Sequence, residues 1–359
     1  MMNGRMKMSG RGTRAAESLS GRKMHFGAGR IRRGSVWILA LLLVLGMLGL
    51  SGCGSAGTPA GSEGAGTEPA AEEQSAEEEN YDTGDASLDD PLNQDGIGEK
   101  EILVVSFGTS FNDSRRLTIG GIEQAIIRAF PDWSVRRAFT SQIIIDHVAK
   151  RDGVKIDNVQ EALERASANG VKELVVQPTH LMNGLEYNDL EQEIAQYADA
   201  FEKVSIGKPL LTDEADFTAV GNIIMEITAE YDTDDTAVVY MGHGTEADSN
   251  AVYGQLQEVL NAAGQENYFI GTVEAKPGLE DVMSAIRGGS YSRVVLRPLM
   301  VVAGDHANND MAGDGEDSWK STLEKAGYEV ECVLEGLGQV PAIQDLYVSH
   351  AAAAMQPAE

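Results

Sequence analysis

The chain predicts an α/β protein of two similar lobes, each a parallel β-sheet flanked by helices, with a cleft between them. Three observations carry this. Short β-branched apolar runs alternate with stretches of helical periodicity from about residue 100 to 356, as in βαβ units whose strands are covered on both faces. The chain also repeats itself: ILVVSFGT at 102–109 is matched by VVYMGHGT at 238–245, and LVVQPTHLMNGLEYND at 174–189 by VVLRPLMVVAGDHANN at 294–309. Finally, each repeated motif runs from an apolar strand into a turn, at the carboxyl strand ends where open α/β sheets bind ligands.

Strands are expected at Glu101–Ser106, Val135–Phe139, Glu173–Gln177 and Lys203–Ile206, then at Ala237–Tyr240, Asn267–Thr272, Arg293–Arg297 and Glu329–Leu334. Helical periodicity covers Arg115–Phe130, Ser141–Asp152, Asn158–Ser167, Tyr187–Ala200, Asp213–Tyr231, Ala247–Ala263, Leu279–Gly288 and Ser318–Ala326. The first lobe is therefore placed at 100–212, a connecting helix at 213–235 and the second lobe, with the metal-ligating candidates, at 236–359.

What precedes the lobes is of a different kind. Residues 1–52 carry nine Lys and Arg and one acid, Glu17, and end in the apolar run Val36–Leu50. Fifteen residues is short for a spanning helix but fits a signal-peptide core. The run closes in Leu50-Ser51-Gly52-Cys53, similar to a bacterial lipobox, in which Cys53 takes a diacylglycerol and becomes the new N-terminus. Residues 1–52 then read as a lipoprotein signal peptide, and the mature protein as exported and lipid-anchored on the outer face of the membrane. Residues 53–99 are rich in Gly, Ala and Glu. They are expected to form a disordered acidic tether, because such a composition buries too little to offset its ordering entropy.

The formal net charge of −28 excludes the basic footprint that nucleic-acid binding requires. Two cysteines, Cys53 and Cys332, exclude a disulfide framework and a CxxC metal or redox site; Cys332 reads as a small buried hydrophobe. No GxxxxGK[ST] phosphate loop is present.

Three second-lobe residues fall at expected strand ends: His243 in Met-Gly-His-Gly-Thr, Glu274 in Gly-Thr-Val-Glu and His306 in Ala-Gly-Asp-His. Two imidazoles and a carboxylate suit a divalent first-row metal such as Co²⁺, Fe²⁺ or Zn²⁺. Gly242 and Gly244 are expected to let the chain turn sharply and a bulky ligand approach the His243 ring. Asp305 and Asp310 are candidate outer acceptors. Phe107, opposite His243 in the repeat, falls with Gly108, Thr109 and Ser110 in a turn where a substrate would sit. His180 is a cleft candidate, whereas His147 reads as packing or surface and His350 falls in a terminal helix.

The segments SFGTSFNDSRRLTIGGIE, PTHLMNGLEYNDL, YMGHGTEADSNAVYGQL, GTVEAKPG and RPLMVVAGDHANNDMAGDGEDSWKSTLEKAGYEV resemble the anaerobic sirohydrochlorin cobaltochelatases, ATP-independent class II chelatases related to ferrochelatase. The resemblance implies a bilobal chelatase-like fold holding a tetrapyrrole between its lobes, with Co²⁺ delivered from His243, Glu274 and His306. His243 is implied as catalytic, accepting pyrrole protons. Phe107, Gly108, Thr109, Ser110 and His180 are the substrate-binding candidates. Lys276 and Arg297 stand either as partners for substrate carboxylates or as surface charges. The chain departs from the family in Val-Glu-Ala-Lys-Pro, where Val-Glu-Gly-Tyr-Pro is common, and in lacking a second His after the GHGT turn. An exported chelatase is one reading; an exported tetrapyrrole- or metal-binding lipoprotein without turnover, and a generic solute-binding lipoprotein, are the others. Homo-oligomerisation is left open.

Overall fold

A computed structural model describes residues 83–356. The expected signal peptide, Cys53 and the expected tether up to residue 82 lie outside the described residues. Within them the chain forms two four-stranded sheets of identical topology. The first holds β1 (Lys100–Ser106), β2 (Ser134–Phe139), β3 (Glu173–Pro178) and β4 (Lys203–Ile206) in the order β2-β1-β3-β4. The second holds β5 (Thr236–Gly242), β6 (Tyr268–Thr272), β7 (Arg293–Pro298) and β8 (Glu329–Cys332) in the order β6-β5-β7-β8. Every neighbouring pair is parallel. In both sheets the connections run in opposite directions from the first strand, which creates a crevice at the carboxyl ends of β1/β3 and of β5/β7.

The helices are α1 (Asn112–Leu117), α2 (Ile119–Ala129), α3 (Gln142–Asp152), α4 (Val159–Ala168), α5 (Leu185–Tyr197), α6 (Glu214–Ile227), α7 (Ala251–Ala262), α8 (Leu279–Ile286), α9 (Trp319–Lys325) and α10 (Pro341–Met355). The helix expected at Arg115–Phe130 is thus two helices that meet at Thr118, whose hydroxyl donates back to Ser114 O at 2.6 Å. Such back-bonding competes with the regular ladder.

Strand periodicity sorts the core. Leu103 and Val105 of β1 face an outer cluster with Val159, Leu163 and Ile194. Ile102 and Val104 face a central cluster that continues through Ile122, Tyr347 and Phe217 to Val238 and Tyr240 of β5. The two sheets therefore share one interior, each buried aliphatic side chain adding about 1.5–3 kcal/mol of transfer free energy.

Two boundaries differ from expectation. Residues 83–99 are not all tether: Asp89 accepts from Arg115 Nε at 2.7 Å and from Arg137 Nη1 at 2.6 Å, and Leu92 enters the central core. Both guanidiniums are almost fully buried, and buried charge requires a paired counter-ion, so the folded unit begins before Asp89. The second lobe likewise does not keep its last helix. From α10, the Tyr347 hydroxyl donates to Thr179 O at 2.9 Å, and the terminal Met355 O accepts from Lys203 Nζ at 2.6 Å. In exchange, α6 lies on the second sheet, where Gly221 abuts Val259 of α7 and Thr228 bonds Tyr268. The two crossing helices meet where His350 Nε2 lies 3.0 Å from Asp216 Oδ1, both side chains buried.

Candidate metal centre

His243 and His306 flank the β5/β7 crevice. The first follows β5 directly; the second caps a short π-helical turn, Ala307–Met311, on the continuation of β7. Glu274 lies beyond β6. Its N–H donates to His243 O at 2.9 Å, and Val273 N–H donates to Gly242 O at 3.0 Å, so the two turns extend the β5–β6 ladder. The ligand atoms of His243, Glu274 and His306 all lie within 4.8 Å of one another. His243 Nε2 is 3.9 Å from the Glu274 carboxylate, and the two imidazoles meet edge to face with centroids 4.6 Å apart.

Each imidazole is oriented through its outer nitrogen. His243 Nδ1 bonds Gly244 O at 2.8 Å; a carbonyl only accepts, so Nδ1 carries the proton and Nε2 keeps a lone pair. His306 Nδ1 bonds Asp310 Oδ2 at 2.7 Å, the carboxylate–imidazole arrangement that fixes a metal-binding histidine. That hydrogen bond raises the His306 pKa above its usual range against the opposing effect of burial, with the charges of Asp310, Asp305 and Glu274 acting the same way as the bond. Asp305 accepts from Asn309 Nδ2 at 2.6 Å, which steadies the same turn.

The glycines around His243 make the expected sharp turn. Gly244 has φ +89, and a Cβ there would stand 2.9 Å from both Ala275 and Thr272. A Cβ on Gly242 would fall 2.2 Å from the Tyr253 ring, whose hydroxyl accepts the Gly244 N–H at 3.2 Å. The space they leave is filled by Tyr253 and the 272–275 turn, which fixes the His243 backbone.

The first lobe presents its own β1/β3 crevice. Phe107 is 47% exposed there. Gly108 turns at φ +105 against the Phe139 ring, while Thr109 and Ser110 are buried. Their carbonyls accept from Arg115 Nη1 at 3.1 Å and from Arg151 Nη2 at 2.5 Å. Of these four expected substrate residues, only Phe107 offers side-chain surface; the other three build its turn. The His180 side chain is buried, its ring nitrogens lack hydrogen-bond partners, and burial pushes its pKa down to about 4. Its Nε2 is 3.7 Å from the carboxylate of Glu186 on the first turn of α5.

Glu186 is the functional candidate that sequence reasoning did not single out. Partial desolvation raises its carboxyl pKa, whereas a protonated His243 would lower it, so this half-exposed first-lobe carboxylate faces the second-lobe candidate set. The available signal was its alignment with His306 in the internal repeat. Lys276 and Arg297 are engaged within the protein, Lys276 Nζ with Asp281 at 2.9 Å and Arg297 Nη2 with Glu335 at 2.8 Å. Arg297 is also buried. His147 lies on α3, away from the set.

Residues 100–356 match the cobalt chelatase (CbiK) family model. The chain is similar to the sirohydrochlorin cobaltochelatase of Salmonella typhimurium, with 35% identity over 252 residues that span 70% of this chain and 95% of that protein. It is also similar to the sirohydrochlorin cobaltochelatase CbiKC of Nitratidesulfovibrio vulgaris, at 31% identity over 72% of this chain and 91% of that one. Among solved structures, SirB from Bacillus subtilis with Fe3+ shares the fold at a TM-score of 0.51 and 15% identity, covering 72% of this chain and 96% of that one. With a family match across both lobes and relatives this similar along nearly their whole length, the chain belongs to the cobalt chelatase (CbiK) family.

Proposed function

We propose that this protein inserts Co²⁺ into sirohydrochlorin without a nucleotide. The observation that carries the reading is the convergence of His243, Glu274 and His306 at one strand crevice, with ligand atoms within 4.8 Å of one another. Family membership and the cobaltochelatase relatives support it. Two pyrrole N–H protons must leave the macrocycle as one dication enters. A site that performs this exchange needs donors that bind the metal and then accept protons. The Nε2 lone pair of His243 does either, because Nδ1–H is committed to Gly244 O and an imidazole nitrogen both binds metals and accepts protons. The Glu274 carboxylate, just over half exposed, supplies the negative charge that draws a hydrated cation in. In this reading Phe107, exposed in the turn after β1, supports the macrocycle face.

The test is absorbance-monitored metal insertion with Co²⁺ and sirohydrochlorin, with and without ATP. Acceleration over the uncatalysed rate that is independent of ATP and lost in His243→Ala supports the assignment. Stoichiometric spectral binding without acceleration assigns the cleft to carriage instead. Fe²⁺ and Zn²⁺ suit the same donors, and competition in this assay ranks them.

The same reading places the enzyme outside the cytoplasm, held by a diacylglyceryl group on Cys53. The basic segment, short apolar run and Leu-Ser-Gly-Cys ending support it. Incorporation of labelled fatty acid that is lost in Cys53→Ala tests it, and gel filtration of the delipidated protein tests for a homo-oligomer.

A further inference from the structure

The metal turn of the second lobe is held from the first. Ala303, three residues before His306, donates its N–H to Ser114 Oγ of α1 at 3.0 Å. Beside it, a Cβ on Gly304 would stand 3.0 Å from Thr109 Oγ1, so the two lobes touch at backbone distance next to a metal-set histidine. Asn308 Nδ2 closes the same turn onto Gly304 O at 2.8 Å. On the first-lobe side, α1 is fixed through the neighbour of Ser114. Arg115 is fully buried; it donates from Nε to Asp89 at 2.7 Å, from Nη1 to Thr109 O at 3.1 Å and from Nη2 to Asn112 Oδ1 at 2.6 Å. Asp89 belongs to the segment that leads into the lobe, and it also accepts from Arg137 through both oxygens. A continuous run of short polar contacts therefore joins the entry segment, α1 and the His306 turn.

We propose that Ser114 is a positioning residue for the metal set: its hydroxyl, on a helix held by the Asp89–Arg115 ion pair, fixes the Ala303 end of the turn that presents His306. The proposal rests on the reading of His243, Glu274 and His306 as the Co²⁺ donors. The physical reason is geometric. Three donors bind one ion well only if each is held to within a few tenths of an ångström of its productive place, and groups behind the ligands that fix them are worth 10- to 100-fold in metal affinity. Ser114 is not among the three donors and bonds the backbone of the His306 turn, so its effect must travel through backbone placement.

The test is titration of the full chain, purified in detergent, with CoCl₂ alone, followed by the visible absorption of bound Co²⁺ and paired with a thermal melt. Ser114→Ala removes one hydrogen-bond acceptor at a half-buried lobe contact. It is expected to weaken Co²⁺ binding by about fivefold, the equilibrium equivalent of one ordinary hydrogen bond, and to change the band intensity that reports donor geometry, with little change in the melt. Asp89→Asn is expected to act in the same direction. Wild-type protein that binds Co²⁺, with Ser114→Ala matching it in affinity and spectrum, overturns the positioning role and leaves the functional reading standing. Normal binding in a folded Asp89→Asn overturns the link to the entry segment. Wild-type protein that binds no Co²⁺ overturns the metal reading and this inference with it.

Discussion

Asp310 Oδ2 accepts the Nδ1–H of His306 at 2.7 Å across the π-helical turn that closes the candidate metal centre. The bond leaves Nε2 as the free donor atom and raises the imidazole pKa above its usual value. A raised pKa means that His306 keeps its proton to higher pH, where the proton competes with a metal. Co²⁺ binding should therefore strengthen as pH rises through that pKa. Asp310→Asn retains an acceptor but removes the charge, so the half-binding pH moves down. Maximal affinity also falls by roughly 10- to 100-fold, because the ring is less basic and less fixed. Co²⁺ titrations across pH 5–9 read both effects; an unmoved midpoint would sink the assigned role of Asp310.

Removing the donors themselves separates chemistry from stability. The His243 and Glu274 side chains are 46% and 56% exposed, so His243→Ala and Glu274→Ala leave no cavity, and their unfolding midpoints should shift by no more than about 0.5 kcal/mol. Insertion should nevertheless fall by at least about 10²-fold in His243→Ala, the scale of one general acid–base group. Single-turnover absorbance traces beside denaturant melts check the contrast.

The strands and the convergence of His243, Glu274 and His306 were legible because each follows from a local rule. Continuous apolar runs such as Val238–Met241 mark buried parallel strands, and His243, Glu274 and His306 sit where such strands end. What was not legible depends on contacts between distant segments. Asp89 belongs by composition to an acidic tether, and only the burial of Arg115 and Arg137 shows that it is needed inside. The α10 helix is apolar along much of its length, yet nothing local shows that it returns to the first lobe to meet Thr179. Glu186 stood out in the sequence only by its alignment with His306, and its relation to His243 exists only once the two lobes face each other.

The Asp89 pairing predicts where the chain can be shortened. A chain starting at residue 98 loses that carboxylate, leaving Arg137 with Glu123 and depriving Arg115 of its direct ion pair, with Asp152 acting on it only at longer range. Breaking a buried pair by removing one partner costs about 3–5 kcal/mol. At about 2–4 °C per kcal/mol for a chain of this size, calorimetry should show a melting temperature lower by on the order of 10 °C than for a chain starting at residue 83. Equal melting temperatures would mean that the entry segment contributes nothing to the fold.

His180 carries the acid-side prediction. Burial holds its folded pKa at about 4, below the unfolded value near 6.5, and its ring nitrogens have no hydrogen-bond partner to offset this. Between those two values the unfolded chain binds a proton that the folded chain refuses, so stability falls as pH drops from about 6.5 toward 4. The full difference is on the order of 3 kcal/mol, and above pH 7 the residue contributes no pH dependence. His180→Gln, which stays neutral throughout, should flatten that part of the stability curve relative to wild type. Urea midpoints at pH 7.5, 6, 5 and 4.5 measure it, and parallel curves for the two proteins would show that the His180 ring is solvated enough to take its proton in the folded state.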